Sequence, residues 1–315
     1  MTLPIIICAA DLSNAPSARN ILEQNFQVRY VPATEKTLHE NLPDADAYYA
    51  SLHVRLTAEL LDKAHNLKAI ATPSTGLDHI DLDVASQKGI AILGLKDDRQ
   101  LLDKITATAE LTWALVLAAS RSLSAASMAA NQGHWARDEY RGHQIAYKTL
   151  GILGCGRLGS IVAEYGKAFR MQIIGHDVKQ IEIEGVEMVS YDELLQRSDI
   201  LSVHIHLNDQ NRGFVDKQSI AKMKKGAMLI NTSRGAIVDE AALLEALEKE
   251  HLSAAGVDVI DGEWQDNLYE HPMIAYARTH DNLIITPHIG GVTYESQEMA
   301  FSAAAQKLVD YFMEK

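Results

Sequence analysis

Short apolar runs alternate with helix-patterned segments along almost the whole chain. The first five runs are centred near Ile5, Val28, Tyr48, Ile70 and Ile92. Apolar runs of this length, separated by helical periodicity, are typical of βα units, whose strands form a parallel sheet covered by helices. The pattern therefore predicts an α/β fold.

A second series of strand-like runs begins near Leu150. Between the two series lies a long, mostly apolar helical pattern from about Leu101 to Ser122, and we expect one buried helix there. An amphipathic helical pattern from about Thr293 to Met313 follows the second series. We expect this last helix to pack back on the first domain.

A chain of 315 residues is long enough for two domains. We predict two Rossmann-like domains in an α/β fold. The first is a discontinuous, flavodoxin-like substrate or catalytic domain of residues 1–104 plus 292–315. The second, residues 105–291, is a doubly wound dinucleotide-binding domain.

The charge balance restricts the partners. Twenty-nine basic and 42 acidic residues leave a net charge of −13, which argues against binding to nucleic acid or to anionic lipid. The two cysteines, Cys8 and Cys155, lack metal-type spacing and indicate a reducing compartment. The apolar opening LPIIICAA is too short for a membrane span and lacks a basic leader, so we expect a buried strand and a cytoplasmic protein.

A glycine-rich turn opens the second series. Gly154, Gly156 and Gly159 have the spacing G-x-G-x-x-G, directly after an apolar strand and before a helix. The first glycine allows a tight turn, the second lets the backbone approach a pyrophosphate, and the third permits close packing of helix on strand. The helix N-terminus then offers unpaired N–H groups to the anion.

An acidic residue follows at the expected place. Asp177 ends the next apolar run, about twenty residues on, where a carboxylate accepts both ribose hydroxyls of NAD. The nearby Lys179 leaves NADP as the alternative. An ordinary turn with a solvated strand end is the simpler interpretation, but strand, glycines, helix and acid occur together, so we predict NAD as cofactor.

Three polar residues follow strands of the second series, where ligands bind in open α/β sheets. Arg234 has a planar fork that can bind a carboxylate at two points. His288 can exchange a proton near neutral pH, and Glu263 can fix its tautomer and stabilise its charged form. Taken singly, each residue fits a surface or structural role better than a catalytic one. The three together, in the order Arg, Glu, His after a dinucleotide turn, indicate an enzyme that oxidises a hydroxy acid.

We expect no metal site. His204 and His206 point the same way from one strand, but no carboxylate or cysteine pattern accompanies them. A role in the wall of a site or in the core fits them better.

The chain resembles the D-isomer-specific 2-hydroxyacid dehydrogenase family, which includes D-3-phosphoglycerate, D-glycerate and hydroxypyruvate enzymes, over nearly its whole length. The segments that carry the resemblance are STGLDHIDL from Ser74, TAELTWALVLAASR from Thr108, KTLGILGCGRLG from Lys148, INTSRGAIVDE from Ile230, and TPHIGG from Thr286.

The resemblance implies an NAD-dependent oxidoreductase that acts on the CH–OH group of a small D-2-hydroxy acid. It assigns catalytic roles to Arg234, Glu263 and His288. It also implies that Asp258 holds the nicotinamide carboxamide. The turn of Ser74, Thr75 and Gly76 is implied to bind the substrate carboxylate, together with Arg234.

The predicted cofactor site also includes Arg157 and Leu158 of the glycine turn, and His204 and Thr232. The chain departs from the family where His206 and Trp264 stand in place of proline. These changes are expected to affect the nicotinamide wall and the choice of substrate.

The resemblance further implies a homodimer built largely from the cofactor domain. Two rival functions share the fold. An NAD(H)-sensing, corepressor-like binding module would bind the cofactor without chemistry, but the complete Arg, Glu and His set favours an enzyme. A formate dehydrogenase usually pairs its His with Gln, so Glu263 argues against that activity.

Overall fold

The structure, a computed structural model, describes residues 3–314. Residues 1, 2 and 315, which the predicted first domain includes, lie outside the described residues. The chain divides into two units, one formed by the residues up to Ile105 together with those from Val292 onward, and the other by Thr106–Gly291. The functions assigned to the two predicted domains stay predictions.

The first unit contains a five-stranded parallel sheet in the order β2-β1-β3-β4-β5. Its strands are β1 (Ile5–Cys8), β2 (Gln27–Tyr30), β3 (Ala47–Tyr49), β4 (Ala69–Ala71) and β5 (Ala91–Leu93). This strand order is that of flavodoxin. Each of the five apolar runs forms a strand, so the predicted fold class is confirmed for this unit.

Among residues 3–314, six helices belong to the first unit. They are α1 (Pro16–Asn25), α2 (Glu35–Asn41), α3 (Ala58–Lys63), α4 (Leu82–Gln87), α5 (Arg99–Leu102) and α13 (Tyr294–Met313), and a short 3-10 turn covers Leu42–Asp44. Thr34, Thr57, Asp81 and Asp98 each precede a helix and accept a hydrogen bond from an N–H of its first turn. These caps satisfy N–H groups that lack a partner within the helix, so they set where each helix begins.

Helix α13 contributes to the core of this unit. Its Ala304, Ala305 and Leu308 are fully buried in the same apolar cluster as Ala18 and Leu22 of α1. The small alanines bring the two helices close together, while the leucines fill the space between them. The last helix is therefore part of the first unit although it follows the second unit in sequence.

The second unit contains a seven-stranded sheet in the order β12-β11-β10-β9-β6-β7-β8, with every pair parallel. Its strands are β6 (Thr149–Leu153), β7 (Gln172–His176), β8 (Glu187–Met188), β9 (Ile200–Val203), β10 (Ala227–Asn231), β11 (Leu252–Val257) and β12 (Leu283–Ile285). The strand order reverses between β6 and β9. In open parallel sheets, ligands bind beyond the carboxyl ends of the strands at such a reversal.

Seven helices belong to the second unit. They are α6 (Ala107–Ser120), α7 (Leu123–Asn131), α8 (Arg157–Ala168), α9 (Tyr191–Arg197), α10 (Lys217–Lys222), α11 (Glu240–Glu248) and α12 (Pro272–Ala277), and 3-10 turns cover Arg137–Tyr140, Gly235–Ile237 and Leu268–Glu270. Every residue of β9 and β10 is buried. Strands covered on both faces have nearly continuous apolar sequences, as these two have apart from Ser202 and Asn231.

The single helix predicted from Leu101 to Ser122 is wrong. Helix α5 ends at Leu102 and α6 begins at Ala107, so two helices occupy this region. The chain passes from the first unit to the second between Ile105 and Thr106. The residues between the two helices, Asp103, Lys104, Ile105 and Thr106, include neither proline nor glycine, so the sequence pattern gave no helix-breaking signal there.

Leu308→Ala should lower the free energy of unfolding by about 2–5 kcal/mol, because it removes a fully buried side chain and leaves a cavity between α13 and α1. Gln306→Ala, at an exposed position of the same helix, is the control and should change it by less than about 0.5 kcal/mol. Urea denaturation measures both. Equal effects of the two changes would show that α13 is not buried as described.

Candidate active site

The glycine turn joins β6 to α8. Gly154 has a left-handed φ of +94°, and a Cβ added to it would lie 2.8 Å from the carbonyl carbon and oxygen of His204. A Cβ on Gly159 would overlap the carbonyl oxygen of Gly154. Both positions therefore require glycine for reasons within the protein itself.

Gly156 differs from the other two glycines. It precedes the first residue of α8, has φ −71°, and a Cβ added to it would meet no described protein atom within 4 Å. Packing in the described structure therefore does not demand glycine here. An open cradle at a helix N-terminus, with Arg157 and Leu158 in the first turn, fits a pyrophosphate group.

Asp177 follows β7 and is tied to the same turn. Its Oδ2 accepts a hydrogen bond from the Cys155 N–H at 2.9 Å, and its Oδ1 accepts one from the Lys179 N–H at 2.9 Å. A carboxylate has about four acceptor positions, so two remain for ribose hydroxyls. Burial raises the pKa of the Cys155 thiol to about 11, which keeps it neutral beside this carboxylate.

His204 follows β9, beside the glycine turn. Its N–H donates to the Leu153 carbonyl at 2.7 Å, and its Nε2 lies 2.8 Å from the Ser202 hydroxyl. Burial lowers the pKa of His204 to about 4, so the ring is neutral at physiological pH. Its Nδ1 is buried and has no hydrogen-bond partner among residues 3–314. The structure thus places a neutral imidazole at the reversal of strand order.

The segment after β10 is held by a buried amide. Asn231 donates from Nδ2 to the Arg234 carbonyl at 2.9 Å and accepts from the Ser233 N–H and hydroxyl at 3.0 and 2.7 Å. The Thr232 hydroxyl lies 2.8 Å from that of Thr112 on α6. The half-buried Arg234 donates from Nη1 to the Ser233 carbonyl at 2.8 Å. This network fixes the backbone that carries the predicted guanidinium.

Glu263 and His288 form a hydrogen-bonded pair. Nδ1 of His288 lies 2.6 Å from Oε1 of Glu263, and the two side chains are 19% and 16% exposed. Because the carboxylate holds Nδ1, the other ring nitrogen, Nε2, is the one left to exchange a proton with a substrate. The second carboxylate oxygen of Glu263 lies 3.4 Å from the Ile260 N–H, which orients the carboxylate.

Asp258 organises the turn that carries His288. Its Oδ1 accepts from the Thr286 hydroxyl at 2.6 Å and from the Ile289 N–H at 2.9 Å, and its Oδ2 accepts from the Gly290 N–H at 2.8 Å. His288 has a left-handed φ of 54°, and its N–H donates to the Asp258 carbonyl at 2.8 Å. Burial raises the pKa of Asp258, although all three donors act against that shift.

These segments meet at one edge of the sheet. Strands β10, β11 and β12 are neighbours, so the residues that follow them share the carboxyl edge. A Cβ added to Gly235 would overlap the backbone of Ile260 and Asp261, so the segment after β10 packs directly on the segment after β11. The sheet therefore carries three features that a dehydrogenase needs: an imidazole that can exchange a proton, His288, a cation, Arg234, and a glycine turn of the dinucleotide-binding type.

Comparison with known proteins identifies the family. Residues 113–290 match the family model described as "D-isomer specific 2-hydroxyacid dehydrogenase, NAD binding domain". The chain belongs to this family. The predicted family, fold and NAD cofactor are confirmed.

Relatives match over most of the chain. A glyoxylate reductase of Aeropyrum pernix is 38% identical over 311 residues, which are 94% of this chain and 90% of the relative. A D-3-phosphoglycerate dehydrogenase of Methanocaldococcus jannaschii is 35% identical over 297 residues, 92% of this chain and 54% of the relative. This chain spans about half the length of the D-3-phosphoglycerate dehydrogenases that it matches.

A solved structure shows the same fold. The D-lactate dehydrogenase of Aquifex aeolicus, crystallised with NAD and lactic acid, superposes with a TM-score of 0.87 at 30% identity, and covers 98% of this chain and 95% of its own. All three named relatives are dehydrogenases or reductases. They lend no support to the corepressor-like alternative.

Ser74, Thr75 and Gly76 lie in the first unit, after β4. The Gly76 N–H donates to the Ser74 hydroxyl at 3.1 Å, and the Ser74 carbonyl accepts from the Leu95 N–H at 3.2 Å. One of the N–H groups expected to bind a carboxylate is therefore bonded within the turn. The substrate-binding role of this turn stays a prediction, as do the roles of the other predicted site residues.

Two positioning residues were missed by the sequence reasoning. Asn231 holds the Arg234 segment, and Glu240 accepts from the Asp261 N–H at 2.7 Å, which anchors the segment that carries Glu263. Burial raises the pKa of Glu240. Asn231 had a usable signal, since a polar amide at the end of a fully apolar strand needs partners. Glu240 looked like an ordinary first-turn acid of a helix.

Two further findings concern metals and membranes. Within residues 3–314, no three His, Cys, Asp or Glu side chains are grouped so that they could hold a metal ion. Among the helices of the same residues, none has both the length and the apolar character needed to cross a membrane.

Gly156→Ala should weaken NADH binding by about tenfold or more, because the methyl group would occupy the cradle and displace charge-assisted hydrogen bonds. Its melting temperature should stay within about two degrees of wild type, since no described atom opposes the added Cβ. Fluorescence titration with NADH and a thermal melt measure the two effects.

Gly159→Ala is the matched control, since its Cβ would overlap the Gly154 carbonyl oxygen. That variant should lose thermal stability as well as binding. Wild-type affinity for NADH in Gly156→Ala would contradict the assignment of this cradle to the pyrophosphate.

Proposed function

We propose that this chain is an NAD-dependent D-2-hydroxyacid dehydrogenase, in which His288 is the general acid and base. The hydrogen bond between His288 and Glu263, on the same sheet as the glycine turn, is the observation that carries the proposal. A family member with this pair has both a cofactor site and a proton-exchanging group. A small 2-hydroxy or 2-oxo acid is the proposed substrate.

The residues divide the chemistry between them. In the oxidation, Nε2 of His288 takes the proton of the substrate hydroxyl, and Glu263 stabilises the imidazolium that results. NAD held at the glycine turn would supply the acceptor for the hydride of the α carbon. Arg234 pairs with the substrate carboxylate and orients the hydroxyl toward His288. In the reduction, the imidazolium returns the proton to the alkoxide oxygen.

The cofactor site is proposed to combine the glycine turn with the neighbouring strand ends. Gly154, Gly156 and Gly159, with the first turn of α8, bind the pyrophosphate, and Asp177 accepts the ribose hydroxyls. A 2′-phosphate would meet like charge at Asp177, which favours NAD over NADP. Asp258 uses three of about four acceptor positions for its own turn, so one remains for the nicotinamide carboxamide.

His288→Asn should lower kcat for reduction of the active 2-oxo acid by roughly two to four orders of magnitude, because no acid is then available to protonate the oxygen. Asparagine tolerates the left-handed backbone at this position, so the turn should persist. NADH affinity should remain near wild type. Absorbance at the NADH band, with glyoxylate, hydroxypyruvate and pyruvate as first substrates, measures the rate.

His280→Ala, at an exposed histidine bonded to Thr279, is the control and should leave kcat unchanged. Near-wild-type kcat in His288→Asn would refute the proposed role of His288. Failure of the wild-type protein to oxidise NADH with any 2-oxo acid, despite binding it, would refute the proposed activity.

We also propose that the chain forms a homodimer through the exposed face of α7. None of the residues of α7 is fully buried, and Leu123 and Met128 are 57% and 64% exposed. Trp135, which follows the helix, is 87% exposed. Large exposed apolar side chains grouped along one segment are typical of protein interfaces, and a second copy of the same patch completes a symmetric one.

Light scattering of the wild-type protein should give twice the mass of one chain. The double variant Leu123→Glu, Met128→Glu should give the mass of one chain, because four like charges would face each other in the dimer. Tyr294→Glu changes an exposed ring on α13 of the first unit and should leave the mass unchanged. A double variant that stays dimeric would place the interface elsewhere.

A further inference from the structure

Trp264 lies over the ring of His288. The two ring centroids are 5.8 Å apart, and the ring planes are inclined by 28°. Glu263, the preceding residue, holds the edge of the same imidazole at Nδ1. Consecutive residues therefore contact the edge and one face of a single ring. The indole remains 49% exposed, so it is not simply a core side chain.

A tight turn sets this geometry. Gly262 has a left-handed φ of +83°, and the Gln265 N–H donates to its carbonyl at 2.9 Å. The turn is anchored at its start, where the Asp261 N–H donates to the carboxylate of Glu240. Because both ends of the turn are held, the side chains of Glu263 and Trp264 leave it in defined directions.

We propose that Trp264 is a positioning residue for His288, which covers one face of the imidazole and favours its protonated form. The proposal rests on the function proposed above and adds a residue to its machinery. With the edge held by Glu263 and one face held by Trp264, the Nε2 edge is the part of the ring directed to a substrate oxygen.

The distance suits an interaction between an aromatic ring and a cation. A cation within about 6 Å of an indole centroid is attracted by the negative face of the ring, whereas a neutral imidazole gains much less. The stack therefore interacts more favourably with a charged imidazole than with a neutral one. Phenylalanine would retain part of the effect, because its ring attracts cations less strongly than indole.

Other charges act on the same imidazole. The carboxylate of Glu263 is hydrogen-bonded to the ring, Asp258 interacts with it electrostatically, and Glu240 acts one step further away, on Glu263. Arg234 carries a positive charge on the adjacent segment. The indole thus acts on the imidazole alongside the two carboxylates but carries no charge of its own. Its contribution is expected as a shift in the pH dependence of the reaction.

Trp264→Ala should move the alkaline limb of the pH profile of kcat/KM for 2-oxo acid reduction to lower pH by about half a unit, or roughly threefold in proton affinity. Activity in this direction needs the protonated ring, so losing the stack removes activity at high pH first. Trp264→Phe should shift the limb by less. Tyr269→Ala removes a nearby exposed ring that contacts Arg278 instead of His288, and should not shift it.

A second measurement needs no turnover. A protonated imidazole quenches the fluorescence of an adjacent indole, so the emission of the protein alone should contain a component that rises with pH. This component should be absent from both Trp264→Phe and His288→Gln, and should persist in Tyr269→Ala. Trp135 follows His134 in the sequence, and any pH-dependent signal from that pair should be retained by all of these variants.

The pH profile and the fluorescence titration distinguish failure of the role proposed for Trp264 from failure of the proposed dehydrogenase function. An unshifted pH profile in Trp264→Ala, or a fluorescence component that survives in His288→Gln, would overturn the role of Trp264. A protein that lacks dehydrogenase activity but shows the shared fluorescence component would refute the proposed function and keep the pairing of the two rings.

Discussion

The buried carboxylate of Asp258 is the group on which the arrangement of the proposed catalytic edge depends. It lies at the end of β11 and accepts three hydrogen bonds from the turn that follows β12. A buried carboxylate is costly unless its acceptor positions are filled, so the turn and the carboxylate stabilise each other. Burial raises the pKa of Asp258, and these donors favour the ionised form. The ends of two neighbouring strands are thereby held at a fixed separation.

The same turn also holds His288, a non-glycine residue, in an unfavourable backbone conformation. A left-handed φ costs a residue such as His288 of the order of 1 kcal/mol, and it persists only where the surroundings require it. Here the carbonyl of Asp258 binds the His288 N–H while its carboxylate binds the next two N–H groups. These hydrogen bonds direct the imidazole of His288 toward Glu263, and the contact with Glu263 sets the tautomer of the ring. The conformational cost is offset by the hydrogen bonds around Asp258.

The sequence predicted the strands well because parallel strands buried on both faces have continuous apolar runs, as at Ile200 and Ala227. It predicted Glu263 and His288 as candidates by residue type and order. It did not predict the partners that hold them, since the contacts of Glu240 and Asp258 join residues far apart in the chain. The contacts of Asn231 with Ser233 and Arg234 are local, and they were missed although the buried amide gave a signal. The two-residue strand β8 was missed because it is too short to change the local apolar pattern. The break between α5 and α6 was missed because it contains neither proline nor glycine. The contact of Trp264 with His288 depends on a turn geometry that spacing does not reveal.

Two histidines at the carboxyl edge of one sheet have opposite environments. His204 is half-buried, and its Nε2 lies next to a serine hydroxyl. Burial lowers its pKa to about 4, so it carries no charge at neutral pH. His288 is hydrogen-bonded to the carboxylate of Glu263. In the proposed reaction, a charged imidazole at position 204 would be a second proton donor beside His288. The sheet gives the two rings different neighbours, which is consistent with the wall role predicted for His204 and the acid role proposed for His288.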